Sequence, residues 1–197
     1  MTTTMGHGDG LASLTVVALG NPLRRDDGIA PAVLAALRGT KWPGRVRLVD
    51  LGQDSLAIAA ELGHGGSMVL LDAADMGLVA GEVRQFPAEE LAGNGATLAP
   101  HNVDAAGVLE LCRALDPDCR IEVVAIQVAD VSYGEGLSPD LAGKLPEVTR
   151  SVADHIRRRL AEERDVTTAR VAQSEGRLWP LTRRFSSLRM TRTSSRR

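Results

Sequence analysis

Two rhythms of apolar residues alternate along the chain. Short runs rich in Val, Ile and Leu predict strands over residues 14–19, 46–50, 68–72, 81–86 and 121–128. Between them, apolar positions recur at helical spacing, which predicts helices over about 27–37, 55–62, 103–115 and 146–160. In the last of these, Leu145, Val148, Val152, Ile156 and Leu160 fall on one face. Met68 to Leu71 and Val123 to Ile126 are continuously apolar, as strands covered on both sides tend to be. Strands alternating with helices imply an α/β fold: a single three-layer domain whose mostly parallel, doubly wound sheet is flanked by helices.

The apolar pattern also sets the domain limits. It begins near residue 12 and fades after Leu160, so the compact domain is expected over 12–164, preceded by a disordered N-terminus at 1–11. From 165 to 197 the chain is rich in Arg, Ser and Thr and reads as a disordered tail. The tail holds eight arginines against Asp165 and Glu175, a net charge of +6, and the rest of the chain carries −8. An acidic body argues against a nucleic-acid-binding domain. No run is long and apolar enough to span a membrane, and residues 1–10 lack the basic-then-apolar order of a signal peptide. Cys112, on an apolar helical stripe, and Cys119, in a turn, read as reduced structural thiols. A cytoplasmic monomer is expected.

Ligands of open α/β sheets bind beyond the carboxyl ends of the strands. The polar residues that fall there are Asn21, Asp26 and Asp27; Asp50, Gln53 and Asp54; Asp72 and Asp75; and Gln127, Asp130 and Ser132. His101 and Asn102 lead into the third helix. Carboxylates with one imidazole suit a divalent transition metal. Plainer roles stand beside each of these. Asp26 or Asp27 could cap the first helix, Asp50 the turn after its strand, and His101 the helix it precedes. Asp72 could be a hydrogen-bonded core acid. His7, His64 and His155 read as incidental. The chain has no G-x-G-x-x-G, no P-loop, no G-x-S-x-G elbow, no H-E-x-x-H and no paired C-x-x-C. Nucleotide enzymes and serine or cysteine hydrolases are disfavoured accordingly.

Four segments, in order, resemble the maturation endopeptidases of nickel-iron hydrogenases. They are the opening turn from Gly20 to Gly28, the stretch Val49-Asp50-Leu51-Gly52-Gln53-Asp54, the stretch Leu71 to Gly77 followed by Ala80-Gly81-Glu82-Val83, and Pro100-His101-Asn102. The resemblance covers about residues 14–160. Ala30, Leu51 and Ala80 depart from it, replacing the Gly, Gly and Pro common at those places. The Arg-rich tail is not part of the pattern.

The resemblance implies an endopeptidase that cuts a C-terminal extension from the large-subunit precursor once nickel has been inserted. It implies that Asp27, Asp72 and His101 contact nickel contributed by that precursor. Asp27 or Asp72 would act as general base, or the metal would polarise the peptide carbonyl. Asp26, Asp50 and Asn102 would orient the ligands. A non-catalytic nickel-binding or assembly scaffold with the same ligands is the alternative. A magnesium phosphohydrolase built on Asp26/Asp27 and Asp72/Asp75 is a weaker one, having only Arg24 and Arg25 nearby for phosphate.

Overall fold

The computed structural model describes residues 13–62, 67–90, 97–98 and 105–178. Strand β1 (Ser13–Leu19) leads through a single 3-10 turn (Arg25–Gly28) into α1 (Ile29–Leu37). Strand β2 (Arg45–Gly52) is followed by a second 3-10 stretch, Ser55–Glu61. Then come β3 (Ser67–Asp75), β4 (Val83–Pro87), the two-residue β5 (Thr97–Leu98), α2 (Ala105–Leu115), β6 (Ile121–Gln127) and α3 (Pro139–Leu178).

The sheet order is β2-β1-β3-β6-β4, with β5 also paired to β3. The β1–β2, β1–β3 and β3–β6 pairs are parallel, while β4 runs antiparallel to β6 and β5 to β3. The sheet is therefore mostly parallel, as the alternating pattern predicts. Side chains alternate faces along each strand, and the core divides accordingly. Leu14, Val16 and Ala18 of β1 join Val69 and Leu71 of β3 under α1 and α3. Val17, Leu19, Met68 and Leu70 face the other way, with Ile58 and with Val108, Leu109 and Cys112 of α2. Helices on both faces make three layers.

Several elements differ from the sequence expectation. Pro146 reads as a helix start because proline suits the first helical position. Yet α3 begins at Pro139, and Pro146 lies inside it. Ser138 supplies the cap: its hydroxyl accepts from the Leu141 amide at 3.4 Å, and Leu141 reaches the core under α1. At its other end α3 continues to Leu178, past the expected helix end at Leu160 and into the stretch read as tail. Residues 1–12 and 179–197 lie outside the described residues. β5 and a 3-10 turn at Ala88–Glu90 carry no periodic signal and were not anticipated.

Candidate active site

Strand order reverses direction between β1 and β3. The chain leaves β1 toward β2 on one side, and β3 leads to β6 and β4 on the other. Open α/β sheets form a crevice at such a point, beyond the carboxyl ends of the two strands. Asp27 lies in the turn that follows β1, and Asp72 lies near the end of β3, so both residues belong to segments at this edge of the sheet.

The register shows why Asp72 is placed there. β1 pairs with β3 only as far as Ala18↔Leu71, after which its chain turns away. β6 covers one edge of β3 through Ala74, and β5 takes up the other at Ala74↔Leu98. Asp72 occupies the gap between β1 and β5. It projects to the face of Leu70 and Ala74, the face that α2 covers. It is fully buried, and its Oδ1 accepts from the Ala73 amide at 2.8 Å.

Asp27 is held by the opening turn, which packs against β3. Its Oδ2 accepts the Asn21 amide at 2.7 Å, and its own amide donates to the Arg24 carbonyl at 3.0 Å. Two glycines let this turn close. A Cβ on Gly20, whose φ is +145°, would lie 2.2 Å from the Asp27 carbonyl oxygen, and one on Gly28 would meet Pro22 Cα at 2.9 Å. The Asn21 side chain braces the turn by accepting the Leu23 amide at 3.0 Å.

Neither acid caps the first helix, because no side chain does so at the 3-10 turn or at α1. Asp26 instead reaches across to the loop between β6 and α3. Its carboxylate accepts the amides of Ala129, Asp130 and Ser138 and the Ser138 hydroxyl. Both of its oxygens are thereby engaged, unlike those of a group kept for a substrate.

Other expected site residues are accounted for by local bonding. Asp50 accepts the Gly52 amide at 3.0 Å and Asp54 caps Ser55–Glu61 through the Ala57 amide at 3.1 Å. Gln53 is exposed. Gln127 is buried and brackets the loop after β3: its Oε1 accepts from Met76 and Leu78, and its Nε2 donates to Asp75 and to the Val128 carbonyl. Asp130 pairs with Arg25 at 3.2 Å and accepts the Ser132 amide. Hydrogen bonds from Ser132 hold the Asp130 carboxyl below its ordinary value of 3.8. His101 and Asn102, in the chain just ahead of α2, lie outside the described residues. Among the described residues no three His, Cys, Asp or Glu side chains converge on one point.

Ser138 and Tyr133 were missed by sequence reasoning. Ser138 was detectable as the cap before Pro139. Tyr133 carries no such signal. It stands 82% exposed at the tip of the loop after β6, with the Arg24 guanidinium 5.3 Å from its ring centre. Leu23, Leu56 and Val79 are also largely exposed, each in a connection at the carboxyl edge of the sheet. An apolar rim of this kind suits a protein substrate.

A model of the hydrogenase maturation protease family, HycI, matches residues 31–155, well over half of the chain. The chain belongs to that family. It is accordingly a peptidase, a hydrolase of hydrogenase maturation. The matched span contains Asp72 and His101 but begins after the opening turn that carries Asp27.

Solved structures with the same fold include the [NiFe] hydrogenase maturation protease HybD from Thermococcus kodakarensis. It is 24% identical, with a TM-score of 0.60, over 74% of this chain and 99% of that one. The hydrogenase maturating endopeptidase HybD from E. coli is 19% identical with a TM-score of 0.64, over 74% and 93% of the two chains. The [NiFe] hydrogenase maturation protease HycI from Thermococcus kodakarensis KOD1 is 19% identical with a TM-score of 0.58, over the same shares. No curated protein matches the chain.

Proposed function

We propose that this protease removes the C-terminal extension of a nickel-iron hydrogenase large-subunit precursor after nickel insertion, and that nickel in the precursor is what it recognises. The observation that carries this reading is the full burial of two acids, Asp27 in the turn after β1 and Asp72 near the end of β3, in a maturation protease. Carboxylates at the carboxyl end of parallel strands are donors that a divalent ion can take. Asp27 and Asp72 would contact the metal, with His101 as the third ligand. Carboxylate and imidazole donors suit nickel and leave positions for thiolates of the precursor. Bound there, the ion supplies positive charge that marks a loaded precursor and polarises groups beside it.

The chain's own residues do the rest. The apolar rim of Leu23, Val79 and Tyr133 seats the flexible extension and so presents its scissile bond to the crevice. One of the two carboxylates takes a proton from the attacking water. The two cysteines are free, in keeping with a cytoplasmic setting, and the enzyme acts as a monomer in this reading.

The test is a cleavage assay on nickel-loaded precursor with metal-free precursor beside it, read by intact mass. Loss of a C-terminal peptide only from the loaded sample is the expected outcome. Asp72→Asn and His101→Ala should each lower the rate about 100-fold or more with unchanged circular dichroism. Cleavage of both precursors at equal rates would remove nickel from the recognition step. Binding without a mass change would point to a scaffold role, and wild-type rates in either variant would displace the site.

A further inference from the structure

The opening turn is not held by its own bonds alone. It is one 3-10 turn, it has no side-chain cap, and Arg25 within it has a φ of +42°, a conformation that non-glycine residues adopt at a cost. A second set of contacts comes from more than a hundred residues further along. Arg25 N–H donates to the Gly134 carbonyl at 3.0 Å, and Gly134 N–H to the Leu23 carbonyl at 2.9 Å. Arg24 Nε donates to the Val131 carbonyl at 3.1 Å.

Asp26 ties these contacts together. Its N–H donates to the Asp130 carbonyl at 3.0 Å. Its Oδ2 accepts from Ala129 N at 3.1 Å, Asp130 N at 2.9 Å and Ser138 Oγ at 2.9 Å, and its Oδ1 from Ser138 N at 2.7 Å. It is fully buried, and every one of these partners is neutral. A carboxylate accepts at two oxygens and donates at neither, so four donors can converge on it; an amide cannot replace it without turning an N–H toward another donor. Ser138 N–H is also an orphan donor at the start of α3, where a negative charge is favoured. Asp26 thus welds the strained turn to the first residues of the longest helix.

We propose that Asp26 is a positioning residue for Asp27: its latch to Ala129, Asp130 and Ser138 keeps the turn closed, so that the Asp27 carboxylate stays seated on the Asn21 amide and aimed at the crevice. The inference rests on the reading of Asp27 as a group of the active site, but its geometric part can be measured separately. In the full-length Asp26→Asn variant, exchange of individual amides followed by NMR should accelerate at Ala129, Asp130 and Ser138. It should also accelerate about tenfold at Asn21, whose N–H bonds Asp27, while the β3 amides stay protected. Precursor processing should lose ten- to hundredfold in kcat/KM, as when a group that orients a metal-contacting ligand is removed.

Acceleration confined to 129–138, with Asn21 as slow as in the wild type, would overturn the proposal and leave Asp26 a purely structural clamp. So would a wild-type kcat/KM. If Asp26→Asn fails to fold, Ser138→Ala removes the hydroxyl donor to Asp26 together with the α3 cap on Leu141 and leaves the backbone donors to Asp26 in place. It should then produce a smaller acceleration at Asn21, and no change there would be equally fatal. Asp27→Asn separates the two readings. Full processing activity in that variant would remove Asp27 from the active site, whatever Asp26→Asn does to the Asn21 amide.

Discussion

Gly20 shows how one residue can decide whether a site exists. The chain leaves β1 with a φ of +145° there, and the Asp27 carbonyl passes where a Cβ would be. Gly20→Ala therefore meets both backbone strain and a clash with main chain that cannot swing aside. It should cost about 1–3 kcal/mol or more, read as a lower urea midpoint with an unchanged slope. Gly39 is the internal control. Its φ is also positive, at +84°, but a Cβ added there would meet nothing within 4 Å. Gly39→Ala then carries strain alone and should be the milder variant. Equal losses in the two would mean that the close approach to Asp27 contributes nothing. The same contrast separates the two neighbouring acids. Asp26 and Asp27 are indistinguishable as letters, yet one binds the loop after β6 and the other the Asn21 amide of its own turn. Nothing local reveals which, because Asp26 finds its partners 103 to 112 residues away.

At the scale of elements, α3 is fastened to the sheet by two unlike devices. Leu141, Val148, Val152, Ile156 and Leu160 bury an apolar stripe, whose spacing is legible in the sequence. Beside that stripe is a polar latch that is not. His155, read as incidental, is buried with its Nε2 3.1 Å from Glu122 of β6. Arg159 reaches the same carboxylate at 3.2 Å and Glu163 at 3.6 Å, and Glu163 bonds Ser67 at the start of β3. Burial pushes the His155 imidazole below its usual 6.5. Glu122 opposes that shift, while Arg158 and Arg159 reinforce it. The unfolded chain consequently takes up a proton near pH 6.5 that the folded chain refuses, so the contribution to stability is complete above that pH. It is lost as pH falls below 6.5 toward the lower folded value, at no more than about 1.4 kcal/mol per pH unit. Urea midpoints at pH 7.5 and pH 5.5 should differ in that direction, and by less in His155→Gln. A wild-type midpoint that rises on acidification, or a variant with the same pH dependence, would contradict the assignment.

For the molecule as a whole, layering was legible for a physical reason: strands covered on both faces must be apolar throughout, and helices covered on one must be apolar on one. β5, with two residues, is too short to show a period. Pro146 misleads because a proline is tolerated inside a helix that is otherwise well anchored, here by Ser138 and Leu141. Asp27 and Asp72 were legible as polar residues at or beyond the ends of apolar strands, and both are fully buried, whereas His101 lies outside the described residues. The remaining question at this scale is what the Arg-rich end contributes. The last buried apolar side chain described on α3 is Leu160, and beyond it Asp165 and Thr168 are exposed. Between Ala161 and Val166 no apolar side chain is buried, and a helical stretch of that kind gains little stability from tertiary packing. Its charge, +6 against −8 for the body, would act through the solvent and be weakened by salt. Ending the chain after Arg164 should therefore leave the melting temperature within about 3 °C, while far-UV ellipticity falls by the lost helical turns. Processing of nickel-loaded precursor should be unchanged in 0.5 M salt. A melting temperature lowered by about 5 °C or more would show instead that residues 165–197 pack against the acidic body and belong to the domain.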